Sequence, residues 1–481
     1  MAFNSLNYAL FFTLVLLVTW SLARLHMLRL FILVAASCFS YMCSRKIYIL
    51  LVAIPTVVDY FVAFAIHAAE SRQRKKAWLA LSMTMNLGLL GAFKYYDFFV
   101  QSIAEGLAAL HLVSANASLP LLEVALPVGI SFYTFQTMAY VIDVYRGTQV
   151  PIRDFVKFAL LITFFPHFVA GPIVLARELV PQFDRPARIT VQQVGDGVFL
   201  ILRGLVKKVA IADYLGRHLV DPVYSKPYNF SALEVLLALV AYSMQIYGDF
   251  SGYTDIARGS AKLLGYELPE NFDRPYLAQS VAHFWRRWHM TLSRWVREYI
   301  YFPLGGTHKG QVRAYLNIMI TLVIMGLWHG AKWTFFWYGV IHGILVAVNR
   351  WSNQRRVRQG LSDEVHGVSL VWRIAATFTF VTLARILFRS QSLAHAWAVT
   401  KRLLHGDWAI EHIQAADLRN VLIVLGLSYA IHWTPRRWIE RCRELFVLAP
   451  PVTQGLALAS VGALVLNLSS GQPPVFIYFA F

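Results

Sequence analysis

The residues with the clearest capacity for chemistry are three histidines in the middle of the chain. His329 closes the apolar run "LNIMITLVIMGLWHG", His342 follows in "YGVIHG", and His289 stands inside "FWRRWHMTLSRW" (residues 284–295). An ionisable side chain at membrane depth is costly and marks a functional position, unless it serves as a hydrogen bond between helices. Both readings stay open for His329. Burial keeps an imidazole neutral, and a neutral imidazole can take a proton from a hydroxyl. His342 lies beside Gly339 and Gly343, which suit tight helix contact, so it reads as a packing residue.

Two carboxylates, Asp249 and Asp255, occur in "QIYGDFSGYTDIARG". They are expected to form structural ion pairs with Arg258, Lys262 or the arginines of the central stretch rather than to exchange protons. No Gly-x-Ser-x-Gly elbow surrounds a serine and no phosphate-cradling glycine loop is present. Acyl-enzyme and nucleotide chemistry are therefore not indicated. A histidine base alone suits direct transfer between two bound substrates.

The elements that must position these residues belong to a membrane. Of 481 residues 57% are hydrophobic and only 15% charged, against about a quarter charged in soluble proteins. Apolar segments fall near residues 8–22, 28–44, 47–69, 77–93, 121–145, 155–174, 231–249, 312–330, 334–349, 370–388, 419–432 and 455–469. Several are shorter than the ~20 residues of a perpendicular span, which implies local thinning or re-entrant pieces. The expected fold class is an all-α polytopic membrane protein with about 10–12 spans plus in-plane and re-entrant helices. It reads as a single membrane-embedded domain over residues 1–481, with N-terminal spans 1–120, a catalytic core 121–350 and C-terminal spans 351–481.

The net charge of +18 would suit a nucleic-acid binder, but the cations gather in short clusters between apolar segments, as cytoplasmic loops do. Arg72, Arg74, Lys75 and Lys76 form one cluster, Arg350, Arg355, Arg356 and Arg358 a second, and Arg436, Arg437, Arg441 and Arg443 a third. Placing all three inside puts both termini outside. Cys38, Cys43 and Cys442 show no metal spacing and read as small buried hydrophobes. The N-terminus reads as a retained first span rather than a signal peptide.

Residues 250–311 hold no span. At helical pitch Trp285, Trp288, Leu292, Trp295, Val296 and Tyr299 share one face, and Arg286, Arg287, Arg294 and Arg297 the opposite one. The pattern predicts an in-plane helix over 281–300, with "ELPENFDRPYL" as a connector leading to it. His289 falls at the edge of the apolar face.

Taken together and in order, "YGDFSGYTDIARG", "LPENFDRPY", "FWRRWHMTLSRWVREYIYFPLGG" and "GLWHGAKWTFFWYGVIHG" resemble the membrane-bound O-acyltransferase (MBOAT) family. The likeness is to its bacterial branch, which includes the alginate O-acetyltransferase membrane protein and the teichoic-acid D-alanyl transferase. It runs from "FNSLNYALFF" through "LPVGISFYTFQTMAYVIDVYRG" and "FFPHFVAGPI" to "FIYFAF", nearly the whole chain. Gly248 and His308 depart from the family pattern.

The resemblance implies that His329 is the essential histidine and His289 the second motif histidine, set where a cytoplasmic tunnel meets an outer funnel. His289 would seat the donor or orient His329, with an aromatic-packed structural role as the alternative. Arg286 and Arg287, with Trp285 and Trp288 beside them, are the expected donor-binding residues, because arginine grips phosphates by paired donors. The implied donor is acetyl-CoA, with a carrier-protein thioester as the second option. No permanently bound cofactor and no metal are expected. The implied acceptor is an exported polysaccharide, alginate-like or another exopolysaccharide or cell-wall polymer, reached through a periplasmic SGNH-type partner. The implied setting is the bacterial inner membrane. A transporter or flippase of lipid-linked sugar or acyl groups is the alternative, but no repeated pair of interrupted spans supports it.

Overall fold

A backbone in apolar surroundings satisfies its hydrogen bonds most simply within one segment, and this chain folds accordingly into helices. The computed structural model describes residues 3–43, 45–112, 114, 120–360, 365–468 and 476. Apart from Phe476, the C-terminal "FIYFAF" lies outside the described residues. Among those described, the sole β feature is an isolated antiparallel bridge between Phe272 and Trp288.

Five described helices are long and apolar enough to cross a membrane: the stretch Lys46–Ala68, then Ala232–Leu263, Gln311–His329, Gly367–Arg389 and Pro451–Leu468. Two more, α1 (Leu6–Ser21) and α2 (His26–Met42), are apolar but shorter. Helix α1 buries Tyr8, Phe12, Val15 and Thr19 and exposes Leu10, Leu14 and Leu17. Exposed leucine on an otherwise packed helix is the mark of a lipid-facing wall.

Contacts divide the chain into two units. The first comprises Asn7–Arg188 with Leu264–Leu268. Within it, α3 (Ile49–Ala68), α4 (Arg72–Leu90) and α5 (Ile130–Arg146) meet at a buried polar knot. Asp59 accepts from the Ser82 hydroxyl at 2.6 Å and the Asn86 amide at 2.8 Å, while Asn86 accepts from the Thr137 hydroxyl at 3.0 Å. Every member finds a partner, which is what such a knot needs in order to stabilise. The expected segment at 155–174 is broken: Phe155–Thr163 forms one helix, and Pro166 lies in a separate turn after Phe164.

The second unit holds Ile189–Leu263 and the chain from Pro269 onward. Here α6 (Val191–Leu205), continued by wide π-helical turns to Asp213, packs along α7 (Ala232–Leu263). The approach is backbone to backbone: a Cβ on Gly204 would stand 2.6 Å from the Gly252 carbonyl oxygen. Gly248 faces the Lys207 carbonyl in the same seam, so this departure from the family pattern is a packing residue. His308 is exposed.

This seam also holds the carboxylates. Arg203 grips Asp255 by two nitrogens, at 2.5 and 2.8 Å, and Lys207 adds a third contact at 2.7 Å. Lys208 bridges Asp213 at 2.7 Å and Asp249 at 2.6 Å. The structural role expected of Asp249 and Asp255 is what the geometry gives, but the partners differ. Arg258 turns to Glu270 and Lys262 to Asp196. The cysteines also depart from expectation: Cys38 is half-buried, and Cys43 and Cys442 are exposed.

Candidate active site

The central stretch is not one continuous helix. It forms α8 (Val281–Trp285), a break, and α9 (Met290–Val296), which continues as a π-helical turn over Arg297–Tyr301. The break falls on His289, whose φ of 42° is left-handed, a conformation that a bulky side chain adopts only when its surroundings hold it there.

The connector supplies that hold. Asp273 N–H donates to the Arg287 carbonyl at 2.9 Å and Met290 N–H to the Asn271 carbonyl at 3.0 Å, so residues 271–273 run beside the break as a short rung. The Asn271 side-chain oxygen accepts from the Thr291 amide at 3.2 Å and hydroxyl at 2.9 Å, and lies 3.1 Å from His289 Nδ1. An amide oxygen only accepts, so Nδ1 carries the His289 proton. The ring is fully buried, edge-on to Phe250 at 4.7 Å and 5.7 Å from the Trp328 ring. Burial first, and His329 second, hold its pKa well below the ordinary histidine value, so this imidazole is neutral.

The periodicity of the apolar face survives the break. Trp285, Trp288, Leu292, Trp295, Val296 and Tyr299 are all buried. Trp285 and Trp288 are thereby committed to packing: the Trp285 indole N–H donates to His342 Nδ1 at 3.2 Å, and Trp288 stacks on Phe284 at 5.5 Å. His342 is a fully buried acceptor in this cluster, as its glycine neighbours suggest.

On the other face, Arg286 and Arg297 are exposed, while Arg287 and Arg294 are half-buried. Arg287 is occupied: it donates to His283 Nε2 at 2.7 Å and to the Asp273 carbonyl at 3.0 Å. Burial, followed by Arg287 and Arg286, pushes the His283 pKa down, which keeps Nε2 available as that acceptor.

His329 is the last residue of α10 (Gln311–His329), which turns at Gly330 into α11 (Trp333–Arg358). The two helices touch through glycine, since a Cβ on Gly339 would stand 2.6 Å from the Leu322 carbonyl oxygen. His329 Nδ1 lies 2.7 Å from the Met325 carbonyl oxygen, which can only accept. When the ring is neutral, its proton is therefore on Nδ1 and the basic lone pair on Nε2. Around the ring stand Trp328 at 5.1 Å, Tyr338 at 6.3 Å, and Phe388, from α12 (Gly367–Arg389), at 5.2 Å.

His289 and His329 thus flank one indole, that of Trp328, in an aromatic cluster. His329 ends a 19-residue helix, where the partial negative charge of the last turn favours an imidazolium formed by proton uptake. An imidazole with its tautomer fixed by Met325, next to a helix end that stabilises its charged form, is fitted to deprotonate a hydroxyl. The sequence reading missed Asn271, which it took as connector, and Arg385, buried on α12. An arginine inside an apolar segment was the available signal for the latter.

Residues 152–363 match the model of the membrane-bound O-acyltransferase family. The protein named probable alginate O-acetylase AlgI from Pseudomonas aeruginosa is 35% identical over 436 residues, 90% of this chain and 80% of the relative. The chain belongs to the membrane-bound O-acyltransferase family. It is an O-acyltransferase and a multi-pass membrane protein. Within the same membrane-bound O-acyltransferase set, the peptidoglycan O-acetyltransferase of Helicobacter pylori is 36% identical over 403 residues, 77% of this chain and 73% of the relative. The teichoic acid D-alanyltransferase of Bacillus subtilis is 28% identical over 281 residues, 56% of this chain and 69% of the relative. The family-model match encloses His289 and His329 and stops short of Arg385.

Proposed function

We propose that this enzyme moves an acetyl group from cytoplasmic acetyl-CoA to the outer side of the bacterial inner membrane, for O-acetylation of an exported polysaccharide. His329 is the general base. The observation that carries this reading is the His329 ring itself: buried, with Nδ1 on the Met325 carbonyl and its lone pair therefore on Nε2. Relatives named for acetyl transfer to alginate and to peptidoglycan support an acetyl group and a polymer acceptor. A carrier-protein thioester, as in a D-alanyl transferase, is the second donor option.

In the reaction, Nε2 takes the proton of the acceptor hydroxyl while its oxygen attacks the thioester carbonyl. The thiol of coenzyme A leaves toward the inside. His289, neutral and locked by Asn271, keeps Trp328 and the donor in register rather than exchanging protons. Arg286, exposed on the polar face, meets coenzyme A phosphates, and Arg287 is held back by Asp273 and His283. A periplasmic SGNH-type protein then completes delivery to the glycan. The glycine crossing of α10 and α11 suits a fixed passage, in which both substrates come to one histidine without the protein alternating between two open forms.

The test is transfer from labelled acetyl-CoA, supplied on the cytoplasmic face of membrane vesicles from the native host, to the exported polymer. Wild type should label the polymer, and His329→Ala should reduce labelling at least ~10²-fold while inserting and purifying normally. Wild-type labelling by the folded variant would remove His329 from the mechanism.

A further inference from the structure

Two arginines stand among the largest fully buried side chains, Arg29 and Arg385. Arg29, in the first unit, places both terminal nitrogens on protein acceptors, the Tyr266 hydroxyl at 2.9 Å and the Leu264 carbonyl at 2.5 Å. Arg385, on α12, enters no ion pair among the described residues, and its Nη1 has no hydrogen-bond partner there. Its charge lies over the faces of Tyr276 at 5.0 Å, Trp288 at 5.2 Å and Phe284 at 5.9 Å. Ring faces offset part of a buried cation and Tyr276 also hydrogen-bonds to this guanidinium, but the N–H of Nη1 is left without an acceptor among the described residues. A desolvated guanidinium without an anion is costly, and an arginine kept in that state is prepared for one that arrives.

Its position says which anion. Phe388, three residues further along the same helix and so on the same side, lies 5.2 Å from the His329 ring. Tyr338 and His342 are both within electrostatic reach of Arg385, and the Tyr338 ring is 6.3 Å from His329 and 4.3 Å from His342. The unmet N–H and the base therefore border one connected cluster of rings.

We propose that Arg385 is a catalytic residue, whose Nη1–H holds the carbonyl oxygen of the acyl thioester and stabilises the oxyanion formed on attack. This deepens the acyl-transfer reading above and rests on it. His329 Nε2 takes the proton of the acceptor hydroxyl, the hydroxyl oxygen bonds to the carbonyl carbon, and the C=O π pair moves onto oxygen beside Arg385. Collapse re-forms C=O and breaks C–S, and the leaving sulfur recovers the proton from His329. Donors aimed at developing charge in a dry site act more strongly on the transition state than on the ground state.

The experiment compares wild type, His329→Ala, Arg385→Gln and Arg385→Lys in native-host membrane vesicles with acetyl-CoA, alongside melting temperatures of the purified proteins. Arg385→Gln should lower kcat by about 10²–10³-fold, as loss of an oxyanion donor does, with the KM for acetyl-CoA unchanged. Arg385→Lys, which keeps the charge but not the planar fork, should fall between. A folded Arg385→Gln protein with wild-type kcat overturns the proposal, provided that wild type is active and His329→Ala is not. An inactive wild type, or an active His329→Ala, instead overturns the acyl-transfer reading itself. If Arg385→Gln does not fold, the carbonyl stretch of ¹³C-labelled acetyl-CoA bound to His329→Ala decides the matter. A shift to lower wavenumber is expected, and an unshifted band sinks the oxyanion role.

Discussion

Two glycine-packed seams in the second unit treat charge in opposite ways. Between α6 and α7 three cations, Arg203, Lys207 and Lys208, meet three carboxylates, Asp255, Asp213 and Asp249. Among α10, α11 and α12 stand two buried histidines and one guanidinium whose Nη1 has no acceptor among the described residues, lined by aromatic rings. Both seams bring backbones together through glycine, so the packing device is the same. Balanced charge holds helices at fixed positions, whereas the proposed chemistry falls where Nη1 of Arg385 is left without an acceptor among aromatic rings. A buried ionisable residue in a membrane protein is thus best judged by whether the protein completes its valence.

Substitutions can break this contrast, and the largest effect should be on stability. Asp255→Ala leaves the half-buried Arg203 and Lys207 without their anion and should cost up to about 3–5 kcal/mol, read as a large fall in melting temperature. His329→Ala should do the reverse, reducing turnover at least ~10²-fold while melting as wild type does. If Asp255→Ala melted normally, or His329→Ala melted early, the division between fastening and reacting seams would not hold.

Smaller changes sharpen it. Asn271→Ala removes the acceptor shared by Thr291 and His289, each bond worth about 1 kcal/mol, so the break in the central stretch should loosen. A fall in kcat of about tenfold is expected, with Asn271→Asp retaining most activity because it keeps the accepting oxygen. Equal losses in both variants would mean that His289 needs something other than an acceptor. The smallest effect belongs to Arg286→Ala. An exposed cation facing a phosphate is worth up to about 1 kcal/mol, so the KM for acetyl-CoA should rise about two- to fivefold with kcat unchanged. Arg287→Ala should show as lost stability instead, since that side chain serves Asp273 and His283.

Much of the site was legible because helical periodicity and hydropathy are local. The buried row from Trp285 to Tyr299 follows from spacing alone, as does the end of the apolar run at His329. The break at His289 did not show, since one left-handed residue shifts the helix axis without disturbing the order of apolar and basic positions. What forces the break is Asn271, eighteen residues earlier, and contacts at that separation leave no periodic trace. The partners of Asp249 and Asp255 were hidden for the same reason. Arg258 and Lys262 are near in sequence, while the true partners sit on the π-helical continuation of α6 and at its end, brought close by glycines whose role appears only when two helices meet.

The crossing of α10 and α11 also limits how this enzyme can diversify. A Cβ on Gly326 would stand 2.4 Å from the Phe335 carbonyl oxygen, and one on Gly339 2.6 Å from that of Leu322, so neither position accepts a larger residue without parting the helices. Gly330 is closed in the same way by the Phe335 ring. At these three glycines the crossing is closed by backbone or by the Phe335 ring, with no room for an added side chain. Any retuning toward a longer or shorter acyl chain has to come from the rings beside His329 that are not part of the glycine crossing, Phe388 on α12 and Tyr338 on α11, which substitution can shrink. A library built to alter acyl length should therefore leave the glycines untouched and vary those two positions.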